Sequence, residues 1–216
     1  MRGDGDGWSL SPDGTMQWGR HGAAGLLVRA PAGGNRAAVL LQHRAPWSHQ
    51  GGTWALPGGA RDSHETTIDA AMREAWEEAG IDPTLLRVRG VRVTARAASG
   101  WTYTTVVADA PEQLPTTRNR ESAELRWVPE TEVDALPLHP GFASSWRELR
   151  AYGVSVVVDS VADVAAALPR TVELPDGRFG WLTSAGGAGG DAITVVVTDD
   201  FARHSDAIAL AATDLL

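Results

Sequence analysis

Residues Leu56–Ile81 read LPGGARDSHETTIDAAMREAWEEAGI, and they contain the clearest helix signal of the 216-residue chain. Thr66 and Asp69 have the spacing of a capping box, in which the cap and the third helical residue exchange hydrogen bonds. Gly80 stands where a left-handed residue ends a helix. The stretch therefore predicts a glycine-rich loop followed by a helix over residues 66–79. The apolar face of this helix, at helical spacing, comprises Ile68, Ala71, Met72, Ala75 and Ala79.

Three glutamates crowd the C-terminal half of this predicted helix. Glu74, Glu77 and Glu78 lie at i, i+3 and i+4, which places their carboxylates on one patch. Like charges at this spacing repel by about 0.2–0.5 kcal/mol, and the negative end of the helix dipole adds to that cost. We expect the adjacent Arg73 to form an ion pair with one of these carboxylates at best. Oxygen ligands without His or Cys suit a hard cation such as Mg²⁺ or Mn²⁺, whereas a solvated helix face is the alternative for such a run taken alone.

The patch belongs to a longer pattern with fixed spacing. Gly59 is followed by five residues and Glu65, and seven further residues lead to Arg73 and the run REAWEEAGI. This arrangement resembles the box of the Nudix hydrolase family, G-x5-E-x7-R-E-U-x-E-E-x-G-U, in which U is aliphatic. Every defined position matches, with Ala75 as a small member of the aliphatic class. The resemblance covers roughly residues 20–150.

The resemblance implies both a fold and a set of ligands. The fold is an α/β (α+β) Nudix sandwich, with helices on both sides of a mixed central sheet. The implied metal ligands are Glu74, Glu77 and Glu78, together with the backbone carbonyl of Gly58, and the implied cofactor is Mg²⁺ or Mn²⁺. The residues to which the resemblance assigns a structural, supporting role are Gly59, Glu65, Arg73 and Gly80.

Residues outside the box are the candidates for the remaining roles. Many family members supply a further glutamate from a later loop, as ligand or general base. Glu121 and Glu124 are the candidates here, and Glu121 is preferred. Arg44, after a predicted strand, and Arg61, after the glycines, are candidates for binding the phosphates of the substrate, with Arg44 the stronger of the two.

The substrate is narrowed by which family signatures the sequence lacks. The sequence signatures of family members that act on NADH, ADP-ribose or coenzyme A do not occur around the box. Their absence favours a nucleoside triphosphate as the substrate. The surrounding sequence resembles actinobacterial MutT-like members, a group that removes oxidised purine nucleotides such as 8-oxo-dGTP. Phe142 is a departure, because it stands where such enzymes can carry an asparagine that reads the oxidised base. Core packing of Phe142 is the favoured interpretation over base stacking. The alternatives are another diphosphate (a nucleotide sugar, a dinucleotide or an RNA 5′ end) and a nucleotide-binding regulator without catalysis.

Composition limits the partners of the protein. The formal net charge of -8 argues against broad nucleic-acid binding, which depends on basic surface. The absence of cysteine excludes disulfides and thiolate chemistry and is compatible with a reducing compartment. No apolar run approaches the length of about 20 residues that spans a bilayer. We expect a cytoplasmic protein that binds a nucleotide substrate and no membrane.

The sequence predicts three parts. Residues 1–19 are expected to form a loose lead-in, residues 20–152 the Nudix domain, and residues 153–216 a small α/β extension of unknown role. The extension could pack on the core, cover the site or mediate a homodimer. Helices are predicted at Phe142–Tyr152, at Ser160–Leu168 and in the tail from Ser205. Strands are predicted at Ala23–Val28, Ala37–Gln42, Arg87–Thr94, Trp101–Ala108, Leu125–Val128, Val154–Val158, Thr171–Leu174, Phe179–Leu182 and Ile193–Thr198.

Overall fold

The computed structural model describes residues 3–33, 36–158, 170–183, 193–197 and 208–210. The helices are α1 (Thr67–Ala79) and α2 (Pro140–Leu149), and 3₁₀ turns lie at Pro83–Leu85 and Glu130–Ala135. The strands are β1 (Trp8–Leu10), β2 (Met16–Trp18), β3 (Ala23–Pro31), β4 (Ala37–Arg44), β5 (Trp54–Ala55), β6 (Gly58–Ala60), β7 (Arg87–Arg96), β8 (Thr102–Asp109), β9 (Ser122–Pro129), β10 (Ala151–Val158), β11 (Arg170–Glu173), β12 (Phe179–Thr183), β13 (Ile193–Val197) and β14 (Ile208–Leu210).

A mixed sheet of seven strands forms the centre of the protein. Its main order is β5-β4-β3-β8-β7, with β6 paired to β3 and β9 paired to β4. Strand β3 runs parallel to β8 and antiparallel to β4 and β6. The predicted strands Ala23–Val28 and Ala37–Gln42 are therefore confirmed, and they pair with one another. The mixed central sheet that the family resemblance implies is also confirmed.

The two faces of this sheet bury separate cores, each covered by one helix. Because side chains alternate along a strand, Leu26 and Val28 of β3 face one core whereas Leu27 faces the other. The first core is closed by the buried alanines of α1 and the second by Trp146 and Leu149 of α2. Helices thus lie on both sides of the sheet, as expected for the α/β/α arrangement.

A second sheet packs on the face of the first that also carries α2, because Phe179 of β12 is buried in the same core as Trp146. Its order is β11-β12-β10-β13-β14, with β11 antiparallel to β12 and the other neighbours parallel. Phe179 is fully buried, and the guanidinium of Arg92 lies 4.8 Å from the centroid of the Phe179 ring. The carboxylate of Asp109 in β8 accepts hydrogen bonds from the backbone and hydroxyl of Thr171, at 2.8 and 2.6 Å. The strands predicted at Thr171–Leu174 and Phe179–Leu182 are confirmed, and they pair as the hairpin of β11 and β12. This part of the extension packs on the central sheet.

Three predictions of local structure were wrong. Residues 8–18 form a β-hairpin, because the turn through Gly14 brings Trp8 and Trp18 into register, so the lead-in is ordered there. Helix α2 ends at Leu149, and Arg150 turns the chain into β10, which leaves Tyr152 in a strand. The tail is not helical at 208–210, where β14 pairs with β13. The predicted helix at 160–168 lies outside the described residues, and the three-part division of the chain stays a prediction.

Within the described ranges, none of the helices combines the length and the apolar character that crossing a bilayer requires.

Candidate active site

Helix α1 holds the glutamates of the predicted site in place. The hydroxyl of Thr66 accepts a hydrogen bond from the Asp69 amide and the carboxylate of Asp69 accepts one from the Thr66 amide, both at 3.1 Å. This capping box is the one that the sequence predicts, and the left-handed Gly80, with φ of 69°, ends the helix as predicted. The small residues Ala71 and Ala75 are fully buried, so α1 packs close to the sheet. Ile68, by contrast, is exposed, which narrows the predicted apolar face.

The glycine loop meets α1 at two of these carboxylates. The amide of Gly58 donates a hydrogen bond of 2.8 Å to Oε2 of Glu78. A Cβ atom on Gly59 would lie 2.5 Å from Oε1 of Glu74, closer than real Cβ atoms approach other heavy atoms. A larger residue at position 59 would therefore displace the carboxylate of Glu74 from this place. The glycine loop and the helix are therefore in direct contact, although Gly58 and Glu78 are 20 positions apart in the sequence.

Burial sets the charge state of these carboxyl groups. The removal of water raises the pKa of Glu78 to about 8, and repulsion from Glu74 adds to the effect. Burial likewise raises the pKa of Glu74 to about 7, although its bond to Arg73 opposes the rise. Glu77 differs because its side chain is 56% exposed. Two buried carboxylates that repel one another favour the binding of a cation between them.

Arg73 makes more contacts than expected. Its Nε lies 2.6 Å from Oε1 of Glu65, and its Nη1 lies 2.8 Å from Oε1 of Glu74 and 3.5 Å from Oε2 of Glu77. A further bond of 2.9 Å runs from Nη2 to the carbonyl of Ala60. The prediction that Arg73 serves one carboxylate at best was therefore wrong. The guanidinium of Arg73 has five N–H donors, so it reaches the loop and two helical glutamates at once. The prediction considered only the spacing along the helix.

Glu121 lies at the site, whereas Glu124 points elsewhere. The negative charge of Glu121 is close enough to raise the pKa of both Glu74 and Glu78. Its backbone is fixed, because the carbonyl accepts a bond of 2.8 Å from the Ala45 amide. The carboxylate of Glu124 instead lies 3.8 Å from Nε of Arg126, and both side chains are about half exposed. This placement favours Glu121 over Glu124 as the fourth acidic residue.

Tyr103 is a site residue that the sequence analysis missed. A Cβ atom on Gly25 of β3 would collide with the hydroxyl of Tyr103, and one on Gly58 would lie 2.9 Å from it. Burial and the charge of Glu78 both raise the pKa of this hydroxyl. The signal was Gly25 itself, because a glycine inside an apolar strand marks a close approach of another group.

The comparisons with known proteins place this geometry in a family. A family model described as NUDIX domain matches residues 5–149. The chain belongs to the Nudix family. Nudix hydrolases act on substrates that contain a nucleoside diphosphate linkage and generally use divalent cations, typically Mg²⁺. The family resemblance, the fold and the enzyme class that the sequence predicts are thus confirmed.

Individual relatives show how far the similarity extends. A protein of Mycobacterium tuberculosis named "Putative 8-oxo-dGTP diphosphatase 3" is 58% identical over 187 residues, which cover 85% of this chain and 86% of the relative. A Nudix hydrolase of M. smegmatis, RenU, has a crystal structure with 67% identity and a TM-score of 0.64, covering 66% of this chain and 91% of that one. A nucleoside triphosphate pyrophosphatase/Nudix hydrolase fusion protein of Bifidobacterium longum is 40% identical over 68% of this chain and 31% of its own length.

The two candidate phosphate-binding arginines have different surroundings in this Nudix fold. Arg61 donates bonds of 2.6 and 3.1 Å to the carbonyl of His21 and one of 2.8 Å to the carbonyl of Glu65. These bonds give Arg61 a structural role in holding the loop. Nε of Arg44 donates a hydrogen bond of 2.9 Å to the carbonyl of His49. The positive charge of Arg44 favours a lower pKa of the Tyr103 hydroxyl beside the carboxylates. Phosphate binding stays a prediction for both, and the geometry favours Arg44.

Phe142 is part of the core. It is buried in the α2 core, with its ring centroid 5.5 Å from that of Trp146. The favoured interpretation, core packing over base stacking, is confirmed. The Phe142 ring packs in this core and has no group that could hydrogen-bond to the edge of a base.

Proposed function

We propose that this Nudix hydrolase cleaves the pyrophosphate linkage of nucleoside triphosphates, with oxidised purine nucleotides such as 8-oxo-dGTP as its substrates. The observation that carries the reaction is the convergence of Glu74, Glu78 and Glu121 beside the Gly58 backbone. The choice of an oxidised purine nucleotide as substrate is supported by the 58% identical relative, whose name contains 8-oxo-dGTP diphosphatase.

The residues of the site fit a divalent cation. Glu78 is only 3% exposed and Glu74 is largely buried, and no lysine or arginine other than Arg73 bonds to either in the described part of the chain. All of the donors are oxygen atoms, which suits Mg²⁺ or Mn²⁺. The proposed ligands are Glu74, Glu77, Glu78 and the carbonyl of Gly58. When bound, such a cation neutralises charge on the carboxylates and the phosphates and acidifies a water molecule.

The remaining roles follow from the position and charge of each side chain. Glu121 is exposed beside Glu74 and Glu78, so it is placed to accept the proton of the water that attacks phosphorus. Arg44 supplies positive charge next to Tyr103 and is the proposed contact to a phosphate oxygen. Arg73 keeps Glu74 in position through its short ion pair. Catalysis by these residues is a matter of orientation and charge stabilisation.

A product assay tests the proposal. The full chain is incubated with Mg²⁺ and, separately, 8-oxo-dGTP, dGTP, ATP, ADP-ribose, a nucleotide sugar, a dinucleotide and a capped RNA, and products are separated by chromatography. We expect 8-oxo-dGTP to give the monophosphate and pyrophosphate, with a kcat/KM at least about tenfold above that of dGTP, a factor equivalent to ~1.4 kcal/mol. EDTA should abolish turnover. A preference for any substrate that is not a triphosphate would overturn the proposal, and turnover of none would indicate a regulator.

A further inference from the structure

The hairpin of β1 and β2 presents its apolar side to solvent. Trp8 and Trp18 face one another across the strands and are 48% and 43% exposed. Leu10 and Met16 form the next pair on the same exposed face. The residues between them are polar and point inward, as Ser9 shows by its bond of 3.0 Å to the carbonyl of Gly19. This alternation is the reverse of an ordinary surface hairpin, and exposed apolar patches of this kind mark binding surfaces.

The hairpin is held firmly against the catalytic domain. Its end is fixed by Trp101, whose indole nitrogen donates to the carbonyl of Gly19 at 2.9 Å. The chain before it is fixed by Gly5, whose amide donates to Oδ1 of Asp62 at 2.8 Å. Asp62 in turn donates its amide to Glu65 of the box. The two indoles are therefore set at a fixed place relative to the loop that precedes α1.

A series of neighbouring residues leads from the carboxylates to the hairpin, with one step through a backbone carbonyl. The side chain of Gln42 in β4 lies beside the carboxylate of Glu78. The pairing of β4 with β9 shifts register between His43 and Arg44, and the charge of Arg44 acts on Tyr103, which lies next to Glu78. Nε of Arg44 bonds to the carbonyl of His49. The ring centroid of His49 lies 6.0 Å from that of Trp8. The order along this series is carboxylate, arginine, imidazole and indole.

That order matches the parts of a nucleoside triphosphate. We propose that Trp8 and Trp18 form the stacking surface for the purine base of the substrate, a subsite that deepens the proposed function and rests on it. The phosphates lie at the carboxylates and Arg44, and the base lies beyond His49 on the hairpin. The two indoles meet edge to face, at 5.3 Å and 79°, and with 48% and 43% of their surface exposed they are accessible to a base. Because every base has a flat face, this contact provides affinity and does not distinguish the oxidised base.

Equilibrium binding tests the subsite without relying on turnover. The ligand is dGTP with a methylene group between the α and β phosphates, titrated into the full chain in a calorimeter with Mg²⁺ present. For the double variant W8A/W18A we expect Kd to rise by about 5- to 100-fold, the loss that removal of base stacking produces. The matched control is L10A/M16A, which removes apolar surface from the same face and should change Kd less than about twofold.

Two further variants separate stacking from hairpin stability. W8F/W18F keeps flat rings and should recover most of the affinity, whereas W8L/W18L keeps only apolar bulk and should not. Inorganic triphosphate has no base, so its Kd should be the same for the wild type and W8A/W18A. Equal dGTP-analogue affinity in W8A/W18A and wild type, or an equal loss for inorganic triphosphate, would overturn this inference alone. If the wild type binds no nucleoside triphosphate, the proposed function and this subsite fall together.

Discussion

Replacing Glu78 by glutamine is expected to make the cation-free protein more stable. The amide has the shape of the carboxyl group, and its oxygen can still accept the hydrogen bond from the Gly58 amide. Burial of the charged carboxylate is unfavourable, which raises the pKa of Glu78 from 4.5 to about 8, and glutamine has no such group to keep protonated. At pH 7 the folded protein must keep a proton that the unfolded chain releases, and with this pKa difference the free energy of unfolding is lower by about 3 kcal/mol. E78Q should regain an amount of that order.

The stability difference between E78Q and the wild type depends on pH. A carboxyl group whose folded pKa is raised costs nothing below its unfolded pKa, and the cost grows as the pH rises toward the folded pKa. Because the two pKa values for Glu78 are 4.5 and about 8, E78Q and wild type should be similar near pH 4.5 and differ most at pH 8 and above.

Urea denaturation in EDTA, followed by tryptophan fluorescence at several pH values, measures this difference. The matched control is E77Q, whose carboxylate is exposed and whose replacement should change the free energy of unfolding by less than about 0.5 kcal/mol. If E78Q at pH 8 is no more stable than wild type, the carboxylate is not strained by burial, and the electrostatic argument for a cation fails.

Three further substitutions probe the surroundings of the site. R73Q should lower the free energy of unfolding by about 2 kcal/mol in urea denaturation, because Glu65 and Glu74 lose their shared partner; a change near zero would contradict this. G59A should keep the fold by circular dichroism but reduce Mg²⁺-dependent turnover by about tenfold or more, since its Cβ displaces Glu74; normal turnover would show that Glu74 can move freely. F142A should lower stability by about 3 kcal/mol and leave the ratio of kcat/KM for 8-oxo-dGTP and dGTP unchanged; an altered ratio would place Phe142 at the base.

The parts of the site that were predictable from the sequence are local ones. The capping box of Thr66 and Asp69 and the left-handed Gly80 are fixed by neighbours within one turn, so both ends of α1 follow from spacing alone. The spacing of Glu74 and Glu78 also places them together on the helix. That Gly58 and Gly59 lie against those two carboxylates came from resemblance to a family pattern, because nothing in residue spacing brings the loop there.

The parts that were missed depend on contacts between distant segments. Tyr103 reaches the site because β8 pairs with β3 in the register that sets its hydroxyl over Gly25, and no local pattern gives that register. The strand at 208–210 likewise exists through pairing with β13. Trp8 and Trp18 were passed over because glycine and aspartate dominate the residues before them, and that composition indicates a loose segment.

The central claim is that Glu77 and Glu78 belong to a metal-dependent hydrolytic site, and the rate of Mg²⁺-dependent hydrolysis of 8-oxo-dGTP by E77Q/E78Q tests it most directly. The double variant is compared with wild type at equal concentration, and circular dichroism verifies that its fold is kept. Loss of the charge that holds the cation should reduce kcat/KM on the order of 100-fold or more. Turnover within a few-fold of wild type in a folded E77Q/E78Q protein would contradict the assignment of the site.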